Sequence, residues 1–288
     1  MRKITCSLKL PVKNNNTSFL AIGFLVILFL SACSRKHYTG TNKVYMDKAH
    51  DFARLIVSEP RDTINADSLR HAAEWTGTTN FNLRKPNMVI IHHTAQNSCA
   101  QTLTTFTLDR TQVSAHYVIC KDGTLHHMLN DYLRAWHAGA ARWGNSTDIN
   151  STSIGIEIDN NGFEDFTPAQ INVLLGLLSN LKKTYGIPVA NFIGHGDIAP
   201  TRKNDPNFRF PWKALADSGY GKWYKDTTGL QVDPFFNPIY ALRVIGYDIS
   251  NYPAAVQAFR RHFIGVDKPG ELTEPERKVL FALVREYL

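Results

Sequence analysis

"PNMVIIHHTA", residues 86–95, is an apolar, β-branched run bounded by Pro86 on one side and by polar Thr94 to Asn97 on the other. That composition and those boundaries predict a strand from about Met88 to His93. Side chains alternate across a strand, so His92 shares a face with Met88 and Ile90, while His93 lies with Val89 and Ile91. Only one of the two histidines can face a common site. The same alternation in "SIGIEID", residues 153–159, puts Ile154, Ile156 and Ile158 on one face and Gly155, Glu157 and Asp159 on the other. Glu157 then sits between isoleucines in mid-strand, a costly place for a carboxylate unless its face borders a polar cleft or the strand lies at a sheet edge.

Working outward, "SAHYVIC" and "TLHHML" around the Lys121-Asp122-Gly123 turn read as a hairpin over 114–129. A helix begins at Thr167, where Pro168 and Gln170 complete a capping box. It continues through Ile171, Leu174, Leu175, Leu178 and Leu181, and stops at Gly186. "ANFIGH" is a further strand, and it runs into "GHGDIAPTRKNDP", residues 194–206, a segment whose Gly and Pro content argues against helix. "PWKALADSG" reads as a short helix. Strands and helices intermix without strict βαβ repetition, which points to an α/β class with a mixed central sheet flanked by helices. After Gly229 three amphipathic segments, near 237–245, 252–263 and 273–287, predict a small three-helix unit with Leu242, Val256, Phe259, Phe263, Leu280 and Leu283 in its core.

At the N-terminus, Arg2, Lys3, Lys9 and Lys13 precede the 12-residue apolar run "FLAIGFLVILFL", residues 19–30. That is too short to span a bilayer comfortably and has the layout of a secretory signal. Leu30-Ser31-Ala32-Cys33 resembles the lipobox of bacterial lipoproteins. The resemblance implies a signal peptide over 1–32, lipidation of Cys33, and, with Ser34 following, passage to the outer membrane facing the periplasm. Acyl chains at Cys33 would anchor the protein to the membrane. Residues 33–60 then read as a tether, part helical around Met46 to Val57. The formal charge of the full chain is +7. The segment 1–32 holds four basic and no acidic residues, so 28 of the 32 Lys and Arg remain against 25 Asp and Glu. No basic stripe or nucleic-acid module accompanies this modest excess, which argues against a nucleic-acid partner. With Cys6 discarded and Cys33 acylated, Cys99 and Cys120 remain, either paired in an oxidising compartment or buried as small apolar residues.

Three strands thus each deliver a proton- or metal-binding group near a strand end: His92, Glu157 and His195. Two imidazoles and one carboxylate, His92, His195 and Asp205, make a three-ligand zinc site whose fourth position is open to water. Such a site activates water and polarises a scissile carbonyl. Glu157 fits the acid/base that moves the water proton to the leaving group, and Lys203 fits the stabiliser of the tetrahedral oxyanion. No HExxH or GxSxG motif is present to support a thermolysin-like peptidase or a serine hydrolase.

"VIIHHTA", "SAHYVICKDGTLHHM", "AWHAGAARWG", "SIGIEIDNNG" and "GHGDIAPTRKNDPNFRFPW" occur in this order over roughly residues 85–217. Together they resemble the zinc-dependent N-acetylmuramoyl-L-alanine amidases related to phage lysozyme-type amidases and peptidoglycan recognition proteins. The resemblance implies one zinc per chain on His92, His195 and Asp205, Glu157 as catalytic acid/base and Lys203 as transition-state stabiliser. It matches His116 and His137 to positions that line the substrate groove, though each also fits a hydrogen-bonded structural histidine. Trp136 reads as core. The lipobox and "AVQAFRRHF", which resembles a peptidoglycan-binding module, extend the likeness to outer-membrane lipoprotein amidases. The implied organisation is a signal peptide over 1–32, a lipidated tether over 33–60, a zinc amidase domain over 61–230 and a helical peptidoglycan-binding-like domain over 231–288. The implied partner is peptidoglycan or its turnover fragments, cleaved between N-acetylmuramic acid and L-Ala. The alternative is a non-catalytic peptidoglycan-binding lipoprotein. A separable C-terminal module would make its deletion harm action on intact sacculi more than on small fragments.

Overall fold

The computed structural model describes residues 38–57, 78–80 and 82–288. The expected signal peptide, Cys33 and the two ends of the expected tether, 33–37 and 58–60, lie outside the described residues. Helix α1, Thr39–Val57, covers and extends the helix expected around 46–57, and none of its residues is buried. Residues 80–288 form a compact unit of their own.

That unit is built on a five-stranded mixed sheet. Its strands are β1 (Met88–His93), β2 (Tyr117–Ile119), β3 (Leu125–His127), β4 (Ser153–Ile158) and β5 (Phe192–Gly194), in the order β3-β2-β4-β1-β5. Only the β2–β3 hairpin is antiparallel; β4 is parallel to β2 and β1, and β1 is parallel to β5. Because β1 and β4 are central and buried on both faces, they are nearly continuous apolar runs. The centrality of β4 removes the edge-strand explanation for Glu157. The helices are α2 (Cys99–Thr107), α3 (Ile149–Thr152), α4 (Pro168–Tyr185), α5 (His195–Ile198), α6 (Trp212–Asp217), α7 (Pro238–Ile245), α8 (Tyr252–Phe259) and α9 (Glu274–Val284). A π-helical turn, Arg260–Ile264, continues α8. Helix α4 carries the expected Thr167–Gln170 capping box and ends at Gly186.

Strand alternation sorts the core into two halves. Val89 and Ile91 of β1, Ile154, Ile156 and Ile158 of β4 and Phe192 of β5 pack against Leu174, Leu178 and Leu181 of α4 and Leu215 of α6. Met88 and Ile90 of β1 and Ile193 of β5 instead pack with Leu242, Val256, Phe259, Leu280 and Leu283 from α7 to α9. The three C-terminal helices are present with the core residues expected of them. Their apolar core is nonetheless continuous with the underside of the sheet and crosses the boundary expected near residue 230.

Two local expectations are corrected. The segment after β5 contains one helical turn, α5, despite its glycines, because the Asp197 carboxylate folds back to accept the Gly194 N–H at 2.8 Å and closes that turn. Trp136 is 46% exposed while its neighbours Ala135 and His137 are buried, so on this irregular segment it turns outward and is not core. Cys99 and Cys120 form a disulfide between α2 and the end of β2, with Cα atoms 5.3 Å apart.

Candidate metal centre and active site

The parallel register of β1 and β4 sets His92 beside Glu157, and β5 on the other side of β1 leads directly into His195 at the start of α5. Asp205 returns to the same place because the Gly196 N–H donates to its carbonyl at 2.6 Å. His92 Nδ1, His195 Nδ1 and Asp205 Oδ2 are mutually 3.0 Å apart, and all three residues are buried. His93 points to the opposite face, where its Nδ1 accepts the Asn207 N–H at 3.0 Å. That is the division strand alternation requires.

The tautomers follow from what each ring does with its other nitrogen. His195 Nε2 lies 3.1 Å from the Ala138 carbonyl, which can only accept, so the ring proton is on Nε2 and Nδ1 carries a lone pair. For His92 the constraint is relayed. Ser153 Oγ–H donates to the Ile149 carbonyl at 2.6 Å, so Ser153 Oγ accepts from His137 Nε2 at 3.1 Å. His137 Nδ1 is then an acceptor for His92 Nε2–H, again at 3.1 Å. His92 Nδ1 is thereby also left as a lone pair. Two imidazole lone pairs and a carboxylate oxygen converge with no proton between them, an arrangement that a cation satisfies and a neutral cavity does not. The donor set fits zinc.

Electrostatics agree. Burial, followed by the neighbouring His195, lowers His92 to about 4, and burial lowers His137 well below the usual histidine value. Both rings are therefore neutral near pH 7. Burial by itself would raise Asp205, yet the group is held well below the ordinary carboxylate range, a direction that needs donated protons or positive charge where His195 and His92 meet it; with both Nδ1 atoms unprotonated, a cation is what supplies that charge. Glu157 is driven the other way, upward, by burial and then by the Asp205 charge. Its Oε1 is 3.9 Å from His92 Nδ1, and its buried Oε2 has no hydrogen-bond partner among the described residues. The Lys203 charge lowers both His92 and Glu157, so it is felt at the site. Its backbone N–H is tied to the Ala199 carbonyl at 3.0 Å.

Of the two histidines expected in a substrate groove, His137 backs the ligand His92, and His116 lies beyond His137 with ring centroids 6.0 Å apart. His116 is fully buried; its Nδ1 accepts the Gly155 N–H at 3.1 Å, and its Nε2 meets the Leu133 carbonyl at 3.0 Å, so neither nitrogen is free for a ligand. His137 backs His92, as described. Its ring fits only because residue 155 is glycine: a Cβ there would lie 2.5 Å from His137 Cγ. That His116 and His137 are hydrogen-bonded structural histidines is the alternative the sequence leaves open; Arg84 is what the sequence reading misses. The Arg84 guanidinium binds the carbonyls of Asp131, Tyr132, Leu133, Ser151 and Ser153 and so ties two chain segments around His116. No motif spacing announces a guanidinium that serves chiefly backbone carbonyls, with one further contact to His116 Nε2 at 3.0 Å.

Fold and site together define a class: a mixed-sheet protein with a buried two-histidine, one-aspartate donor set beside an unpartnered glutamate. Residues 82–208, a stretch that contains every one of these groups, match the N-acetylmuramoyl-L-alanine amidase family. AmiD of Escherichia coli (strain K12) is 36% identical over 152 residues, 47% of this chain and 54% of AmiD. AmpD of the same strain, a 1,6-anhydro-N-acetylmuramyl-L-alanine amidase, is 38% identical over 101 residues, 35% of this chain and 55% of AmpD. The chain thus spans about half the length of the curated relatives it matches. Among solved structures, AmpDh3 from Pseudomonas aeruginosa aligns with a TM-score of 0.65 and 30% identity, over 78% of this chain and 98% of that one. AmiD from E. coli, in complex with the substrate anhydro-N-acetylmuramic acid-L-Ala-D-γ-Glu-L-Lys, aligns with a TM-score of 0.63 and 27% identity, over 78% and 97%.

Proposed function

We propose that the protein is a zinc-dependent N-acetylmuramoyl-L-alanine amidase acting on peptidoglycan or its turnover fragments. The observation that carries this reading is the convergence of three proton-free donors, 3.0 Å apart, beside a buried glutamate oxygen without a partner. Named relatives support the bond cleaved: AmiD and AmpD are both amidases of this linkage, and the AmiD and AmpDh3 structures include complexes with anhydromuramyl peptides.

His92, His195 and Asp205 would hold the ion, which supplies Lewis acidity toward water and the scissile carbonyl. The Glu157 carboxylate receives the proton of the attacking water, a role suited to a group raised by burial whose Oε1 lies 3.9 Å from Nδ1 of His92. It then gives that proton to the amide nitrogen as the carbon–nitrogen bond breaks. The products are the lactyl carboxylate of the muramic acid and a stem peptide with a free L-Ala amine. Lys203 stabilises the oxyanion formed between these two proton transfers.

The test is mass spectrometry of defined muropeptides treated with purified protein, with and without a chelator. Release of intact stem peptides that stops on chelation supports the reading. Shortened stems would mean a peptidase, and no products would mean a binding protein. We further propose that Cys33 is acylated and anchors the protein at the outer membrane, facing the periplasm, on the strength of Leu30-Ser31-Ala32-Cys33 and the basic, apolar segment before it. Cys33→Ala should release the protein from the membrane fraction and leave activity on soluble muropeptides intact; a variant that stays membrane-bound would refute the anchor.

A further inference from the structure

The loop that carries His195 and Asp205 is fastened by a carboxylate to which the catalytic reading gives no role. Asp197 is 4% exposed and takes three hydrogen bonds. One comes from Gly194 N–H, within its own turn, at 2.8 Å to Oδ2. The other two come from the C-terminal helices: His262 Nδ1–H at 2.7 Å to Oδ2 and Tyr247 O–H at 2.8 Å to Oδ1. His262 cannot turn away, because its ring is stacked on Trp212 at 3.9 Å and on Phe263 at 4.1 Å. The adjacent Arg261 is held by Asp267 and reaches across the loop, with Nη1 3.5 Å from the Lys203 carbonyl. It passes so close that a Cβ on Gly196 would lie 2.6 Å from its Nη1. Arg261 and His262 of "FRRHF" therefore point inward, onto the two arms of the loop.

We propose that Asp197, Tyr247 and His262 are positioning residues for the metal centre, so that the C-terminal helices set the affinity with which His195 and Asp205 hold the ion. Asp197 lies two residues from His195, within one helical turn, and each of its carboxylate oxygens is oriented by a different C-terminal side chain. Loss of those two donors leaves a buried carboxylate under-satisfied at the base of the ligand turn. The turn can then relieve this only by moving. A shift of a few tenths of an ångström there separates His195 Nδ1 from its two co-ligands. This rests on the assignment of His92, His195 and Asp205 as zinc ligands made above.

The experiment measures zinc affinity of the full protein by competition with a chromogenic chelator for wild type, Tyr247→Phe, His262→Leu, the double variant and His262→Asn, with circular dichroism to verify folding. Outer-shell partners of metal ligands typically govern affinity by 10-fold or more, so the double variant should bind zinc about 10-fold or more weakly. His262→Asn, which keeps a donor near the Nδ1 position, should recover most of the loss. Tyr247→Phe removes a single hydroxyl and supplies the measurement if His262→Leu fails to fold. Glu276→Gln is the control, because it weakens the same helical unit through Arg260 without touching Asp197, and its zinc affinity should stay near wild type. Equal affinities in wild type and the double variant, or an equal loss in Glu276→Gln, would overturn the proposal. Wild-type protein that holds zinc yet leaves muropeptides uncut would overturn the amidase reading alone.

Discussion

At the scale of single residues, the site is organised by proton placement. The Ile149 carbonyl, Ser153 Oγ, the His137 ring and the His92 ring form one directional chain of hydrogen bonds, and its polarity begins at a group that can only accept. That chain presents a lone pair at the metal centre without a charged second-layer residue. Glu157, at the same centre, differs in that its Oε2 has no hydrogen-bond partner among the described residues. Glu157→Gln keeps the shape and removes the ability to take a proton, so kcat should fall by about 100-fold or more while zinc content, read by atomic absorption, stays at one per chain. A variant that lost zinc instead would make Glu157 a ligand and not an acid/base.

At the scale of elements, the disulfide fastens α2 to the end of β2, across a sequence separation of 21 residues. A loop of that length corresponds to about 3 kcal/mol in the chain-entropy account. Thermal unfolding in reductant, or of Cys99→Ser with Cys120→Ser, should show a lower midpoint with little change in zinc affinity, since neither cysteine touches the metal centre. A second element-level link is Arg260 to Glu276, a buried two-hydrogen-bond pair at 2.8 and 2.9 Å joining the π-helical turn to α9. The Arg260 hydrogen bonds hold Glu276 down at about 2. Because this folded value is depressed, the pair's contribution to stability is complete above the ordinary glutamate value of 4.5 and is lost as pH falls from there through about 2. The gap in unfolding midpoint between wild type and Glu276→Gln should accordingly narrow between pH 5 and pH 2. A gap that does not change with pH would show that the pair contributes no proton linkage.

At the scale of the whole molecule, the C-terminal helices cover one face of the sheet and share a core with Met88, Ile90 and Ile193. Deleting residues 232–288 would bare that face and remove Tyr247, Arg261 and His262 from the metal loop. The expected outcome is a protein that is unstable and inactive on soluble muropeptides and intact sacculi alike, measured by soluble yield, circular dichroism and product release. A folded truncation that still cuts small fragments would restore the picture of a detachable binding module.

Much of this was legible in the sequence, for reasons of periodicity and chemistry. A period of two places His92 and Glu157 on definite faces of β1 and β4 and turns His93 away. The capping box marks the start of α4, and the amphipathic spacing after Gly229 marks three helices. The residue types at 92, 157, 195, 203 and 205 carry their chemistry wherever they stand. What these signals lack is information about neighbours distant in sequence. Whether β4 is central or an edge, whether Cys99 and Cys120 meet, and that His137 backs His92 while His116 is buried beyond it depend on strand order and packing. The same holds for Asp197, which reads as an ordinary loop acid until the fold brings Tyr247 and His262 to it. Local sequence determines which way a side chain faces and what it can donate or accept; only the tertiary structure decides what it meets there, because those partners lie tens of residues away and are brought together by burial of the apolar faces between them.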